Sequence, residues 1–526
     1  MLSIVGPLLN GFAIALTPGN FFAAFLGVLM GTIVGVLPGL GPTASIALLL
    51  PVTIGMSPLA GIIMLAGIYY GAMYGGSTTS ILVNIPGEAA SVVTCIDGYE
   101  MAKQGRAGPA LGISAFGSFI GGTLSVVAVM LISPILAEAA LKFGPPERFA
   151  LFFFAFTLIG YLAGRSMARG LLMGVLGLLL GVIGTDDIHG VDRFTFGTLY
   201  LRDGIGLVPL AMGLFGLGEI LYNIEQREKE VSVMKTPKNL LPTRKDWHDS
   251  VGPIGRGTLI GLGIGVLPGG MPAVSSLISY AVEKRVAKNP ERFGKGAIEG
   301  VAGPETANNA ATAGGFVPLL TLGIPTNSVL ALLLAALMLH GVTPGPLLLF
   351  KYPDVFWGVI ASMYIGNIML LILNLPLIGL FVQILKVPYG ILSPLIIMFV
   401  LLGAYALNNS VIDVFVTILF GLLGYVIKRY NFEPAPLVLA FVLGPMMETS
   451  FRQSLIMSRS GSIGIFFSRP ISGTLLVIAI LVLFLPLMKQ RLKRLFLQPK
   501  GGGEKVEAET CHLGLGDPIS KGSSRE

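Results

Sequence analysis

The chain has 526 residues, of which 53% are hydrophobic and only 12% charged, with a formal net charge of +7. A soluble domain carries about 25% charged residues, so a water-bathed globular surface is excluded and a polytopic membrane protein is implied. The basic excess requires no nucleic acid, because the Lys and Arg residues gather in connections between apolar runs, as cytoplasmic loops do.

No charged residue precedes Glu88, and the first basic residue is Lys103. An uncharged opening of that length holds several crossings at about 20 residues each. It reads as membrane spans and not as a cleaved signal, since no basic n-region precedes the apolar stretch. Apolar runs continue to residue 488, several of them too short to span alone. The expectation is an all-α fold of about twelve transmembrane helices with broken or re-entrant pieces.

The polar connections organise the chain. Residues 1–224 form a first membrane half, 225–250 a basic linker, 251–488 a second half and 489–526 a Gly/Ser/Glu-rich tail predicted to be disordered. Arg227, Lys229, Lys235, Lys238, Arg244 and Lys245 put the linker in the cytoplasm, and the five basic residues of 284–295 do the same for that loop. Both termini are expected there too. Cys95 and Cys511 are too far apart to argue for a disulfide framework, and the four histidines form no zinc-binding spacing. Cys511 and His512 read as part of a disordered tail. No transition metal and no cofactor are expected.

Each half carries a GVLPG element, "GVLPGLGPTAS" at 35–45 and "GVLPGGMPAVS" at 265–275. Each then carries a GG-x8-IP element, "GGSTTSILVNIPGE" at 75–88 and "GGFVPLLTLGIPTN" at 314–327. Two different motifs recurring in the same order, at offsets of 230 and 239, predict a two-fold internal repeat. Basic residues follow the second GVLPG element but the first IP element, which predicts that the halves are inverted.

Proline lacks an amide hydrogen and glycine lets the chain turn, so each motif should stop a helix and start another. Unpaired backbone at membrane depth is tolerated where it lines a cavity. A helix starting there points its free N–H groups inward, which suits an anion. The predicted substrate-binding set is Pro38, Gly39, Gly41, Pro42, Thr43 and Ser45 at the first break, with Pro86 and Gly87. Its counterpart is Pro268, Gly269, Gly270, Pro272 and Ser275, with Pro325, Thr326 and Asn327.

A polar group, "GPETANN", interrupts the second half. Asn84, Glu305, Asn308, Asn309 and Thr312 are predicted to take the coupling cation, Na⁺ or H⁺, through neutral oxygens and one acid. Glu88 is read equally well as membrane-buried or loop-exposed. Asp413, Glu448 and Arg452 are further intramembrane candidates, without support from the repeat.

These stretches resemble the large membrane subunit (TctA family) of the tripartite tricarboxylate transporter. The resemblance rests on "GVLPGLGPTASIALLLP", the run from "GIYYGAMYGGSTTS" to "GRAGPALG", "KFGPPERFALF" and the run from "GKGAIEGVAGPETANN" to "VTPGPLL", spread over roughly residues 25–350. It implies ion-gradient-driven uptake of carboxylates across a bacterial inner membrane. It also implies a periplasmic solute-binding protein and a small membrane subunit as partners. A passive organic-anion channel is the alternative. An enzyme would need a nucleophile or metal constellation, and no G-x-S-x-G, HExxH or Walker A pattern occurs.

Overall fold

Within lipid a backbone amide has no partner but another backbone group, so the Leu-, Ile-, Val- and Ala-rich runs fold as helices. The computed structural model describes residues 2–37, 40–162, 166–186, 188–226, 239–384, 387, 389–458 and 461–496. The expectations for Pro38, Gly39, the basic residues of 227–238 and the tail beyond 496 lie outside these. The chain divides into a unit of residues 1–483 and a unit of 484–526, the latter described only as the end of one helix.

In chain order, α1 (Leu2–Ala15) and α2 (Pro18–Val36) lead to the first break. Helix α3 (Pro42–Thr53) restarts with proline in its first turn, where the missing N–H removes no bond. Helix α4 (Pro58–Val83) follows, then a 3₁₀ turn at Ala89–Ser91, α5 (Val92–Lys103) and the long α6 (Ala107–Ala140). Helices α7 (Pro145–Leu162) and α8 (Met167–Gly181) precede a loop with a two-residue strand pairing, Gly184–Thr185 against Asp192–Arg193. Helix α9 (Leu207–Ala211) continues through a π-turn, Met212–Leu217, into α10 (Gly218–Glu225).

The second half begins with α11 (Arg244–Gly265), whose Thr243 and Asp246 form a capping box, so the end of the expected linker is helix. After the second GVLPG break come α12 (Pro272–Val286), α13 (Glu299–Gly314) and α14 (Phe316–Leu322). Helix α15 (Ser328–Leu339) starts after the second IP break, and α16 (Leu348–Lys351), α17 (Pro353–Asn374) and α18 (Ile378–Ile384) follow. Last come α19 (Tyr389–Asn408), α20 (Val411–Arg429), α21 (Ala435–Met457), α22 (Ile465–Ser468) and α23 (Pro470–Phe496). Among the described residues, seven helices are long and apolar enough to cross a membrane. Helices α3 and α15, with 12 residues each, are not.

Small residues set how the central helices meet. Gly27, Gly31 and Gly35 of α2 lie against the backbone of α4, where a Cβ on Gly31 would overlap the Ile68 carbonyl. Gly257, Gly261 and Gly265 of α11 do the same against α13, where a Cβ on Gly261 would overlap the Ala307 carbonyl. Lipid supplies no hydrophobic force between helices, so this close approach carries the packing. The triplets stand at the same offset of 230 as the GVLPG elements, a correspondence that the Gly/Pro motifs alone did not reveal.

Helix α17 packs on α2 and α4, while α6 packs on α11 and α13, so each half covers the other's central pair. Helix α4 is 94% buried over its apolar window, against 17% for α19, which turns most of its side chains away from the rest of the chain. Loops also meet across the halves. His340 lies 3.3 Å from the Thr53 hydroxyl, while Gln104 donates to the Lys295 carbonyl at 2.8 Å. Asp97 accepts the N–H groups of Gly294, Gly296 and Ala297 at 2.8–2.9 Å, pinning the 284–297 connection to α5.

Candidate functional site

All four breaks contribute to one cavity of about 320 Å³. That volume falls within the range of about 300–1,000 Å³ found for small-molecule sites. Its wall includes Gly41, Pro42 and Thr43 at the start of α3, and Pro86, Gly87 and Glu88 of the first IP element. Met271, Pro272 and Ala273 bring the start of α12, and Asn327 and Ser328 the start of α15. Three helices of 12 to 15 residues thus begin at the wall. Each leaves first-turn N–H groups without an intrahelical acceptor, which favours negative charge there.

The breaks hold one another in place. The Thr43 and Ser328 hydroxyls are 3.1 Å apart and join the starts of α3 and α15. Asn327 caps α15 by accepting the Leu330 N–H at 3.0 Å and donates to the Tyr69 hydroxyl at 2.9 Å. Gly269 adopts φ +77° and donates its N–H to the Thr326 carbonyl at 2.9 Å. A Cβ on Gly270 would overlap the Ile264 carbonyl, and one on Gly87 the Gly35 carbonyl. Ser45 donates to the Gly41 carbonyl and Ser275 to the carbonyls of Pro272 and Ala307. Those two hydroxyls brace the helix starts; they are not part of the wall. Thr326 is fully buried with its hydroxyl unpartnered.

Beside the cavity lies a buried polar group. Glu305 accepts from Ser77 at 2.5 Å and from Thr94. Glu88 caps the 3₁₀ turn by accepting the N–H groups of Ala90 and Ser91, and Asn308 reaches its carboxylate at 3.5 Å. Asn309 donates to Ser118 at 2.8 Å and to the Glu305 carbonyl at 3.2 Å, and Thr312 donates to the Asn308 carbonyl. Glu88 belongs both to this group and to the cavity wall, and it is buried, which decides between its two sequence readings. Among the described residues no ion pair involves Glu88 or Glu305, and no Lys, Arg or His is buried.

Asn84 stands apart. It ends α4 with φ +59° and is exposed, whereas the other four residues of the ion-coupling set are buried on α13. The left-handed turn that terminates the helix carries its side chain outward. Thr94, Glu219 and Lys428 are site residues that the motifs did not indicate. The charges of Glu219 and Lys428 were the available signal, and both residues lie in the cavity wall. Among the described residues no group of three or more His, Cys, Asp or Glu is placed to hold a metal ion.

The further candidates in the second half have other partners. Asp413 accepts from Tyr200 and from Asn408 at 2.9 Å. Glu448 and Arg452 join a loop network in which Arg452 donates to Asp186 at 2.7 Å and Arg193 bridges Glu448 and Asp186. The Arg452 guanidinium, with the Ile188 N–H, holds the Asp186 carboxyl well below the usual carboxylate range.

The family described as "Tripartite tricarboxylate transporter TctA family" matches residues 21–439. An "Uncharacterized 52.8 kDa protein in TAR-I ttuC' 3'region" of Agrobacterium vitis is 49% identical over 502 residues, 95% of this chain and 100% of that one. An "Uncharacterized protein in TAR-II ttuC' 3'region" of the same organism is 50% identical over 238 residues, 45% of this chain and 98% of that one. No solved structure matches the chain.

Proposed function

The chain belongs to the tripartite tricarboxylate transporter TctA family, and on that premise we propose that it carries carboxylates inward across a bacterial inner membrane, driven by a Na⁺ or H⁺ gradient. A periplasmic solute-binding protein delivers the substrate and a small membrane subunit completes the transporter. The observation that carries this reading is Glu88, which lines the cavity and is reached by Asn308, one turn along α13 from the buried Glu305. A substrate carboxylate at the helix starts meets two buried acids without basic partners among the described residues. Unit charges ~8 Å apart repel by roughly 2 kcal/mol at an effective permittivity of ~20. A cation bound among Glu88, Glu305, Asn308 and Asn309 removes that repulsion, so each ion favours the other by linkage.

Proteoliposomes holding the chain, its small subunit and a cognate binding protein test the proposal under imposed gradients. Uptake should rise with an inward gradient of one cation and vanish without it. Downhill flux indifferent to Na⁺ and H⁺ would instead identify a passive channel.

The halves are inverted in this proposal, so the two GVLPG breaks enter from opposite faces and the site can open alternately. The loop contacts support it: 53–58 meets His340, and Gln104 meets Lys295, so each loop adjoins the non-corresponding loop of the other half. Ser57, Gln104, Lys288 and Thr343 are exposed. With single cysteines there, an impermeant thiol reagent outside should label Ser57→Cys and Thr343→Cys only. Labelling of Ser57→Cys and Lys288→Cys from one side would exclude inversion. Both termini are cytoplasmic in this arrangement.

A further inference from the structure

Lys428, at the end of α20, and Glu219, in α10, form an ion pair in the cavity wall. Lys428 is the one basic residue among the described lining residues. Its ammonium also sits 5.5 Å from the ring centroid of Tyr222, one turn along α10 from Glu219. The two side chains are 24% and 20% exposed, so the pair is largely withdrawn from water and each charge depends on having a counter-ion. The π-turn at Met212–Leu217 supplies Phe215 to the same wall and leads directly into the helix that carries Glu219.

A ligand with a single carboxylate can be held by the helix starts alone and leaves this pair intact. A ligand with a second carboxylate reaching α20 can exchange one ammonium–carboxylate pair for another, and the released Glu219 retains access to solvent. We propose that Lys428 is the specificity-determining cation for a second carboxylate of the substrate, and that Glu219 occupies it until substrate displaces it. The inference rests on the reading of the cavity as a carboxylate site. It assigns opposite effects to two paired residues, because Lys428 attracts the ligand while Glu219 competes with it.

The test measures equilibrium binding of citrate, malate, succinate, acetate and butyrate to the full chain in nanodiscs. The wild-type chain should prefer the polycarboxylates over the monocarboxylates by about tenfold or more, the scale of one partly desolvated charge contact. Lys428→Gln should reduce that ratio to within about threefold by weakening polycarboxylate binding far more than monocarboxylate binding, and Lys428→Arg should restore it. Glu219→Gln should tighten polycarboxylate binding. Equal losses for both ligand series in Lys428→Gln, no change in either, or weaker polycarboxylate binding in Glu219→Gln would each overturn the inference and leave the carboxylate site standing. If the wild-type chain binds none of the five anions, the carboxylate reading itself fails. Thermal unfolding of each variant in the same nanodiscs separates lost folding from lost binding.

Discussion

Gly269→Val and Gly270→Val should each abolish uptake while the protein still inserts in the membrane. At Gly269 the backbone holds φ +77° and lies 3.1 Å, at the Cβ position, from the Ile159 backbone. A β-branched residue in that conformation costs about 1–3 kcal/mol before any clash is counted. The strain falls on the N–H bonded to the Thr326 carbonyl, so two breaks shift together. At Gly270 the added carbon overlaps the Ile264 carbonyl, and the start of α12 must move. Gly263→Ala is the control: it lies near the end of α11, just before the break, with nothing near its Cβ position, and should transport normally. Loss of one hydroxyl, as in Thr43→Ala, should do less than either valine, since the first-turn N–H groups remain. Normal uptake by correctly inserted Gly269→Val and Gly270→Val would end the proposal that these helix starts hold the substrate.

Glu305→Gln should lose gradient-driven accumulation yet retain exchange of substrate across the membrane. Its carboxylate is buried against Ser77 and Thr94, with no ion pair among the described residues. A buried, unpaired charge costs several kcal/mol, and a proton or Na⁺ that neutralises it recovers that cost. Glutamine keeps the shape and removes the charge, so substrate binding no longer waits for the ion. Asn309→Ala acts more mildly, because Asn309 holds α13 to Ser118 of α6; the half-maximal ion concentration should rise by a few fold, as expected for one lost hydrogen bond of about 1 kcal/mol. The readout is uptake against graded Na⁺ and H⁺ concentrations. An ion dependence unchanged in both variants would reduce the cluster to helix packing.

Some of this site was legible because helix termination is local. Pro42 and Pro272 in the first turns of α3 and α12 follow from ring chemistry that acts on the adjacent turn, so the restart points could be read within a residue. The glycine triplets were equally present in the sequence, but their role as contact surfaces depends on which helix lies opposite. Asn84 illustrates the limit of local reading. It precedes the IP element as the sequence shows, yet the left-handed turn puts it outside the buried group.

Composition by itself determined that the protein lives in a membrane, and the paired Gly/Pro breaks determined where its helices stop, since both follow from residue chemistry alone. Only the tertiary structure decided that four breaks share one cavity wall, that Glu88 is buried, and that Lys428 meets Glu219. Burial and charge pairing depend on residues brought together from distant parts of the chain. A single side chain carries no record of which of them it will face.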